Sequence, residues 1–461
     1  MADREAAGSS FHSASLTMDF TPHTEADVAR MLTRLGLKST AELFGHLPAG
    51  VPLPAEIAVP SPLSEPEVMQ LVEGLASQNR SELICFAGGG IYDHFLPPVV
   101  RALTMRPEFV TAYTPYQPEV SQGTLQLLFE YQSMLCAATG MDAANASLYD
   151  GATAGVEAAG LAVAATGRSS IWLSRGVHPH TREALRTVLG ARRVAIQEQP
   201  LVGGITAWSD ATDSPPAALI FSQPNYLGVV EPYSTAVERA QQLGALTVSS
   251  IDPIALGVLT RPGEAGVDVV FGEGQALGNP MSFGGPVVGW FATTTQHVRR
   301  IPGRVVGATH DLEGRPGFVM TLRTREQDIR REKASSNICT NQTLNAIACL
   351  LQMAWLGPAG LAEVATQSAH KARYLAEALN RIPGVRPLVP APFLREFALG
   401  LPLAAEAVVA AMAERGFLAG IPLGRDYPEL GDGLLVAVTE RRSRAELDRY
   451  AAALGEVVSA G

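Results

Sequence analysis

The sequence predicts an α/β protein with three parts: an N-terminal helical arm, a large domain with a mostly parallel sheet, and a smaller C-terminal α+β domain. Short apolar runs alternate with helical stretches through the middle of the chain, which is typical of a parallel sheet with helices on both faces. Strands are predicted at residues 146–149, 170–173, 193–196, 217–221, 246–251, 267–271 and 286–291. Strands at 395–401 and 434–439, followed by a capping box of Ser443 and Glu446, indicate the smaller domain.

The same pattern divides the chain into four segments. Residues 1–17 are rich in Ala, Ser and Gly and predict a flexible tail. Residues 18–82 have helical spacing on either side of a Pro-rich stretch and form the predicted arm. The large domain is predicted at 83–335 and the C-terminal domain at 336–461. The sequence leaves open whether the chain starts at Met1 or Met18.

Composition narrows the classes of function. The chain has 461 residues, of which 47% are hydrophobic and 17% charged, so it can bury a large core. A net charge of −10 argues against nucleic-acid binding. The cysteines form no C-x-x-C pair and the N-terminus lacks the apolar stretch of a signal peptide, so we expect a cytoplasmic protein with free thiols. The apolar residues 346–362 include Gln352 and Pro358, which favour a buried helix and turn over a membrane span.

The distribution of lysines is the most restrictive feature. The chain has three lysines, Lys38, Lys333 and Lys371, and therefore none between positions 38 and 333. That stretch otherwise has the pattern of the large domain of a pyridoxal-phosphate (PLP) enzyme, which binds its cofactor as a Schiff base to a lysine. Such a chain either assists a partner that carries the lysine or is a former enzyme with another role.

Asp252 ends an apolar strand, where PLP enzymes place the acid that pairs with the pyridinium nitrogen. In such enzymes we expect the lysine roughly two dozen residues later. Here that region contains Gln275 and Ala276, which cannot form an imine. Asp252 is therefore interpreted as a hydrogen-bonding anchor or as a relic of a cofactor site.

Two other positions have both a cofactor interpretation and a purely structural one. The small-residue turn at 150–155 joins a strand to a helix and offers backbone N–H groups to a phosphate, or Asp150 or Thr153 simply caps the helix. His178 either stacks on a flat ring or occupies a His-Pro turn. His178 and His180 are the only closely spaced histidines, so no metal site is predicted.

Basic residues concentrate at 321–340 in an otherwise acidic chain. Their guanidinium groups suit carboxylates or phosphates, although Glu326 and Arg330 also have the spacing of a helical salt bridge. The loops at 92–95 and 113–119 crowd aromatic and polar side chains at Gly and Pro turns. They suit a site wall or an interface, or represent ordinary loop packing.

Several long segments carry a resemblance to a known family. They are FAGGGIYDHFLPPVVRAL, AYTPYQPEVSQGTLQ, SLYDGATAGVEA, IDPIALGVL, GEGQALGNPMSFGGP and REQDIRREKASSNICTNQ. In this order they closely resemble glycine decarboxylase, the P-protein of the glycine cleavage system, in the alpha chain of its two-chain form. The resemblance covers residues 18–455 and leaves out the tail.

The resemblance implies fold type I of the PLP-dependent transferases and explains the missing lysine. In this family the beta chain carries the lysine and PLP, and the chains assemble as an α2β2 tetramer. The enzyme decarboxylates glycine and transfers the aminomethyl group to the lipoyl arm of the H-protein, with PLP as the electron sink. No membrane or nucleic acid takes part.

The resemblance also suggests roles for particular residues, although it places no catalytic residue on this chain. Candidates for the wall of the active-site entrance or the subunit interface are Tyr92, Asp93, Tyr113, Tyr116, Glu119, Arg325, Arg331, Lys333, Asn337 and Thr340. Vestigial cofactor-site positions are Thr153, His178, Asp252 and Gln275.

Three hypotheses follow for the function. The first is an obligate subunit that supplies scaffold and pocket wall to a lysine-bearing partner, and it is the one we favour. The second is a stand-alone enzyme of the same fold, which the lysine distribution opposes. The third is a non-catalytic regulatory or structural homologue, since a fold alone does not fix a function.

Overall fold

The computed structural model describes residues 23–48, 60–110, 114–210 and 214–460. They form two compact units, of which the first ends at Asn79 and the second begins at Arg80. The predicted tail at 1–17, Met18 and Tyr113 lie outside the described residues.

Helices and strands alternate through the second unit, as the sequence predicts, and the first two helices of the chain belong to the first unit. The helices are α1 (Glu25–Leu35), α2 (Glu65–Ala76), α3 (Pro98–Thr104), α4 (Gln122–Thr139), α5 (Gly151–Thr166), α6 (Pro179–Ala191), α7 (Tyr233–Leu243), α8 (Gln327–Arg330), α9 (Thr343–Leu379), α10 (Ala405–Ala413) and α11 (Arg444–Ala460). The strands are β1 (Ile84–Cys85), β2 (Ala143–Ala144), β3 (Ser170–Ser174), β4 (Ala195–Gln199), β5 (Leu201–Val202), β6 (Ile205–Thr206), β7 (Ala218–Gln223), β8 (Leu246–Ile251), β9 (Val269–Glu273), β10 (Gly289–Thr293), β11 (Val305–His310), β12 (Pro316–Thr321), β13 (Arg386–Pro387), β14 (Glu396–Gly400), β15 (Phe417–Leu418), β16 (Ile421–Pro422) and β17 (Gly433–Ala437).

The first unit contains two amphipathic helices. Thr24 and Asp27 form a reciprocal capping box at the start of α1, and Ser64 and Glu67 form another at the start of α2. Neither helix contains a buried residue. Large apolar side chains on α2 are instead exposed: Val68, Met69, Leu71, Val72 and Leu75.

A seven-stranded sheet organises the second unit in the order β2-β10-β9-β8-β7-β3-β4. The five strands from β9 to β4 are parallel, and β10 and β2 extend the sheet in antiparallel pairing. The predicted mostly parallel sheet is thus confirmed. The predicted strand at 146–149 is wrong in extent, because this segment makes only an isolated bridge between Leu148 and Gly289 after the short β2.

Both faces of this sheet are covered, which explains its apolar strands. Side chains on β9 alternate between the two faces: Val269 and Phe271 pack into the core under α5 and α6, and Val270 packs into the core under α4 and α9. Trp290 on the neighbouring β10 joins the second core. This arrangement fixes the carboxyl ends of the parallel strands at one edge of the sheet.

The C-terminal part has an antiparallel sheet in the order β13-β14-β17-β16. Phe397 and Val436 on this sheet pack with Leu375 of α9 and Leu454 of α11. The C-terminal part thus contains helices and strands, as predicted, and belongs to the same compact unit as the large sheet. The start of β14 lies at the edge of the large sheet.

Helix α9 connects the two cores. Among the described helices it alone is long and apolar enough to cross a membrane. Its buried residues nevertheless belong to protein cores, with Ala346 in the core of the large sheet and Leu375 in that of the C-terminal sheet. A kink at Gly357, whose φ is 59°, precedes Pro358. The predicted buried helix and turn at 346–362 is therefore a kinked part of a longer helix.

Candidate functional site

A cavity of about 380 Å³ lies at the carboxyl ends of the parallel strands, where β14 approaches the large sheet. This edge is where open α/β sheets place their ligands. The polar residues that line the cavity come from distant parts of the chain: Tyr92, Asp150, His178, Asp252, Glu273, Arg395 and Glu396. A larger cavity of about 590 Å³ lies beside Trp355 and has a mainly apolar lining. We assign the candidate site to the smaller cavity because the ionisable side chains converge there.

The start of α5 presents backbone N–H groups to the cavity. Asp150 caps the helix, because its carboxylate accepts hydrogen bonds from the backbone N–H of Thr153 at 2.7 Å and from the Thr153 hydroxyl at 3.0 Å. The predicted helix cap is thus present, and the Thr153 side chain is engaged by it.

A second carboxylate, that of Glu273 at the end of β9, lies at the same helix start. It accepts backbone N–H bonds from Gly151 at 3.0 Å, from Gln275 at 3.0 Å and from Val288 at 2.9 Å. Burial raises the pKa of Glu273 to about 7, although the hydrogen bonds from these three N–H groups act to lower it. A Cβ added at Gly151 would lie 3.1 Å from the Glu273 side chain, so the two elements are in close contact. Two N–H groups of the helix start that suit a phosphate, those of Gly151 and Thr153, are therefore already bonded to carboxylates.

Asp252 follows β8 and meets a buried arginine. Its carboxylate lies 2.6 Å from Nη2 of Arg395, whose side chain is 2% exposed. The contact is a close ion pair rather than an aligned hydrogen bond. The Arg395 guanidinium also lies over the ring of Tyr92, 3.5 Å from its centroid. Asp252 is therefore paired with a buried cation in this structure.

Tyr92 and Arg395 take part in a longer network across the cavity. The Tyr92 hydroxyl donates to Glu396 at 2.6 Å, and the other oxygen of Glu396 accepts the backbone N–H of Gly89 at 2.6 Å. Burial raises the pKa of Glu396 to about 6. His94 contacts Arg395 on one side and Glu440 on the other. The C-terminal sheet is thus tied to the loop at 86–94 by buried polar contacts.

His178 is held at both ring nitrogens. Its Nε2 donates to the carbonyl of Gly89 at 2.6 Å, and its Nδ1 accepts the backbone N–H of His180 at 3.1 Å. Tyr226 packs edge-on against the ring at 5.0 Å. Burial lowers the pKa of His178 to about 4, so the imidazole is neutral. His178 lines the cavity, but its polar atoms anchor the glycine loop.

We expect His178 to remain neutral above about pH 5, as a ¹⁵N NMR titration of the ring would show. Because the folded pKa lies below the unfolded value, the unfolded state binds more protons between the two, and stability falls as pH falls through this window. From pH 6.5 to 4 the wild type should lose about 3 kcal/mol more unfolding free energy than the His178→Gln variant. Titration near the ordinary pKa would contradict this assignment.

Gln275 and Ala276 differ in their surroundings: Ala276 lines both the candidate cavity and the larger one beside Trp355. The Gln275 side chain is 2% exposed, accepts the Tyr92 backbone N–H at 2.9 Å and donates to the carbonyl of Asn279 at 2.8 Å. It is not among the residues that line the candidate cavity, whereas Ala276 is. A side chain that enters the cavity from this segment would therefore start at position 276.

The remaining predicted wall residues lie elsewhere. Asp93 forms ion pairs with Arg441 and, at 2.8 Å, with Arg442, and so fastens the loop to the segment between β17 and α11. Tyr116 lies between the guanidinium groups of Arg304 and Arg323, at 4.9 and 5.0 Å from its ring centroid.

The Arg-rich segment is only partly exposed. Arg325 donates to the carbonyls of Ile301 and, at 2.7 Å, Gly303, and burial lowers its pKa. Glu119, Arg331, Lys333 and Asn337 are exposed, and Thr340 is half-buried. None of these residues lines the candidate cavity, so the structure does not join this segment to Asp252.

Sequence reasoning missed Glu273, Arg395 and Glu396. Arg395 and Glu396 stood inside a predicted apolar strand, and charged residues in such a strand were the available signal. Glu273 stood in the quoted segment GEGQALG, immediately after a predicted strand, but nothing in the sequence pairs it with Gly151.

The fold is that of the fold type I PLP-dependent transferases. The solved structure of glutamate decarboxylase from Lactobacillus brevis matches it with a TM-score of 0.65, over 91% of this chain and 96% of that one. At 12% identity this likeness concerns the fold alone.

The chain belongs to the glycine cleavage system P-protein family, whose profile matches residues 18–454. The probable glycine dehydrogenase (decarboxylating) subunit 1 of Moorella thermoacetica is 46% identical over 445 residues, which are 96% of this chain and 100% of that protein. A solved glycine decarboxylase (P-protein) of the glycine cleavage system, in inhibitor-bound form, is 47% identical, with a TM-score of 0.85 over 95% of this chain and 100% of that one. The family expected from the motifs is confirmed.

The cavity of this chain does not fit PLP. The cofactor requires an amine, a set of phosphate-binding donors and an acid for its ring nitrogen. None of the chain's three lysines lines the cavity. The donors at Gly151 bind Glu273, and Asp252 is paired with Arg395. We therefore derive no chemical step through PLP in this pocket.

Proposed function

We propose that this chain is the alpha subunit of a two-chain glycine decarboxylase. The enzyme removes CO2 from glycine and transfers the remaining aminomethyl group to the lipoyl arm of the H-protein. The observation that carries the proposal is that the chain keeps the fold of its family while its own cavity lacks a lysine. A partner beta subunit binds PLP through its lysine, and PLP supplies the electron sink for decarboxylation.

The names of the relatives support a partner chain. Relatives of full-length coverage are called subunit 1, which implies a second subunit. We propose an α2β2 tetramer in the cytoplasm, with glycine and the lipoylated H-protein as its other partners. The chain would then be inactive by itself.

The exposed face of α2 supports an obligate interface. Val68, Leu71, Val72 and Leu75 recur at helical spacing, and each is between 42% and 56% exposed. An exposed apolar stripe of this kind indicates a protein–protein contact. We propose that the partner subunit covers it.

The residues around Tyr116 support a second role of this chain, as part of the wall of an active-site entrance or interface. Arg304 is 4% exposed, and its Nε and Nη1 atoms have no hydrogen-bond partner among the described residues, although Glu326 lies near enough to be affected by its charge. Guanidinium groups of this kind suit a carboxylate at an active-site entrance or interface. We propose that Tyr116, Arg325 and the exposed residues from Arg331 to Thr340 contribute to that wall, and Tyr92 and Asp93 support it from within the chain.

Glycine-dependent CO2 exchange in the presence of lipoylated H-protein tests the proposal. It is measured for this chain, for its lysine-bearing partner and for the mixture at equal protein concentration. We expect exchange only in the mixture. Full activity of the partner alone would reject a shared enzyme and favour a regulatory or structural role for this chain.

A further inference from the structure

Two ionisable side chains lie at the features of this cavity that resemble a cofactor site, namely the start of α5 and Asp252. Their charges are opposite in sign. Glu273 is a carboxyl group at the start of a helix, anionic at pH values above its pKa of about 7, and Arg395 is a cation beside an acid. PLP carries the same two charges, an anionic phosphate and a ring nitrogen that pairs with an acid. The chain thus supplies each charge from its own side chains.

At the helix start, two backbone N–H groups already bind carboxylates: that of Gly151 binds Glu273, and that of Thr153 binds Asp150. Gly151, Gln275 and Val288 donate three backbone N–H bonds to the Glu273 carboxylate. Asp150, at the same place, adds a second carboxylate that acts on Glu273 through its charge. A phosphate brought here would lose these donors to Glu273 and would lie beside two carboxylates, so its binding is opposed twice.

At Asp252, the Arg395 guanidinium supplies the positive charge and occupies the space next to the carboxylate. The Arg395 guanidinium pairs with Asp252 at 2.6 Å and packs on the Tyr92 ring at 3.5 Å. Its side chain is 2% exposed, so the contact is protected from solvent. A cofactor ring paired with Asp252 would have to displace a buried arginine that is also held by His94.

We infer that Glu273 and Arg395 are internal replacements for the charges of PLP, so that this cavity excludes the cofactor even when a lysine is supplied. The inference rests on the proposed function only in assuming that PLP is the cofactor of the complex. Because this cavity excludes PLP, the complex has PLP sites only on the partner subunit. This chain then serves as a scaffold.

Restoring the lysine tests the inference directly. Ala276 lines this cavity as well as the larger one, whereas Gln275 lines neither, so Ala276→Lys is the substitution in this segment that brings an amine to the cavity. The full chain with its partner is incubated with PLP and reduced with borohydride, and mass spectrometry measures the pyridoxyl group on the peptide with position 276. Partner-chain labelling serves as the internal positive control.

We expect background labelling at position 276 in the Ala276→Lys variant. When Glu273→Ala and Arg395→Ala are added, occupancy should rise by about tenfold or more. The matched control adds Glu264→Ala and Arg373→Ala, which alter side chains 59% and 78% exposed, and should stay at background. Equal labelling of Ala276→Lys alone, or none in the folded triple variant, would overturn the inference.

A second measurement does not depend on the triple variant folding. Inorganic phosphate should raise the Tm of the Glu273→Ala chain more than that of the wild type, because it can then bind the freed N–H groups. Glu264→Ala serves as the control for the general effect of phosphate, at matched ionic strength. An equal rise in all three would overturn the assignment of Glu273. Neither readout uses catalysis, so a failure of CO2 exchange would reject the proposed function without affecting this result.

Discussion

Replacing Arg395 by leucine should remove about 3–5 kcal/mol of unfolding free energy, because the substitution leaves the carboxylate of Asp252 buried without its partner. The pair is close, at 2.6 Å, and the carboxylate side chain is only 13% exposed. Arg395 also packs on Tyr92 and contacts His94, so its loss unties the C-terminal sheet from the glycine loop. Denaturant unfolding at neutral pH provides the measurement.

A double-mutant comparison separates the charge from the packing. Asp252→Asn together with Arg395→Leu should recover part of the loss, since no unpaired charge then remains in the site. The matched control is Arg373→Ala, which removes an exposed ion pair with Glu377 and should cost less than about 1 kcal/mol. If Arg395→Leu also removed less than about 1 kcal/mol of unfolding free energy, the buried pair with Asp252 would not be essential for stability.

Charges placed on the exposed face of α2 should prevent assembly with the partner chain. We expect Leu71→Asp with Val72→Asp to weaken the complex by about 100-fold or more, since apolar anchors of an interface each contribute about 2 kcal/mol. Both side chains are 53% exposed in this chain, so its own unfolding should change little. Analytical ultracentrifugation of the mixed subunits measures the loss, and CO2 exchange should fall with it.

The same helix offers the control. Gln70 is exposed and lies on the opposite side of α2 from Leu71 and Val72. Gln70→Asp should therefore leave assembly intact. Equal assembly of the Leu71→Asp, Val72→Asp chain would show that the partner does not cover this face.

The fold could be predicted because its signals are local. Alternating apolar runs indicate parallel strands buried on both faces, and β7 is buried at every position. Helix ends at Thr24 and Ser64 follow from capping boxes that lie within four residues. The antiparallel pairing of β10 has no such local signal, because it depends on which strand the chain meets after the turn.

The candidate site could be predicted only in those features that depend on residue types and their order alone. The lack of a lysine and the place of Asp252 after a strand both follow from residue types in order. The pairing of Asp252 with Arg395 does not, since the two lie far apart in the sequence and meet only when β14 packs near the large sheet. The same holds for Glu273 and Gly151, and for the difference between Gln275, which does not line the cavity, and Ala276, which does.

The central claim is that PLP belongs to the partner and not to this chain. Borohydride reduction of the active wild-type complex, followed by peptide mass spectrometry of both chains, tests it most directly. We predict a pyridoxyl group on one lysine of the partner and none on Lys38, Lys333 or Lys371 of this chain. A stoichiometric pyridoxyl group on any of these three lysines would contradict the account.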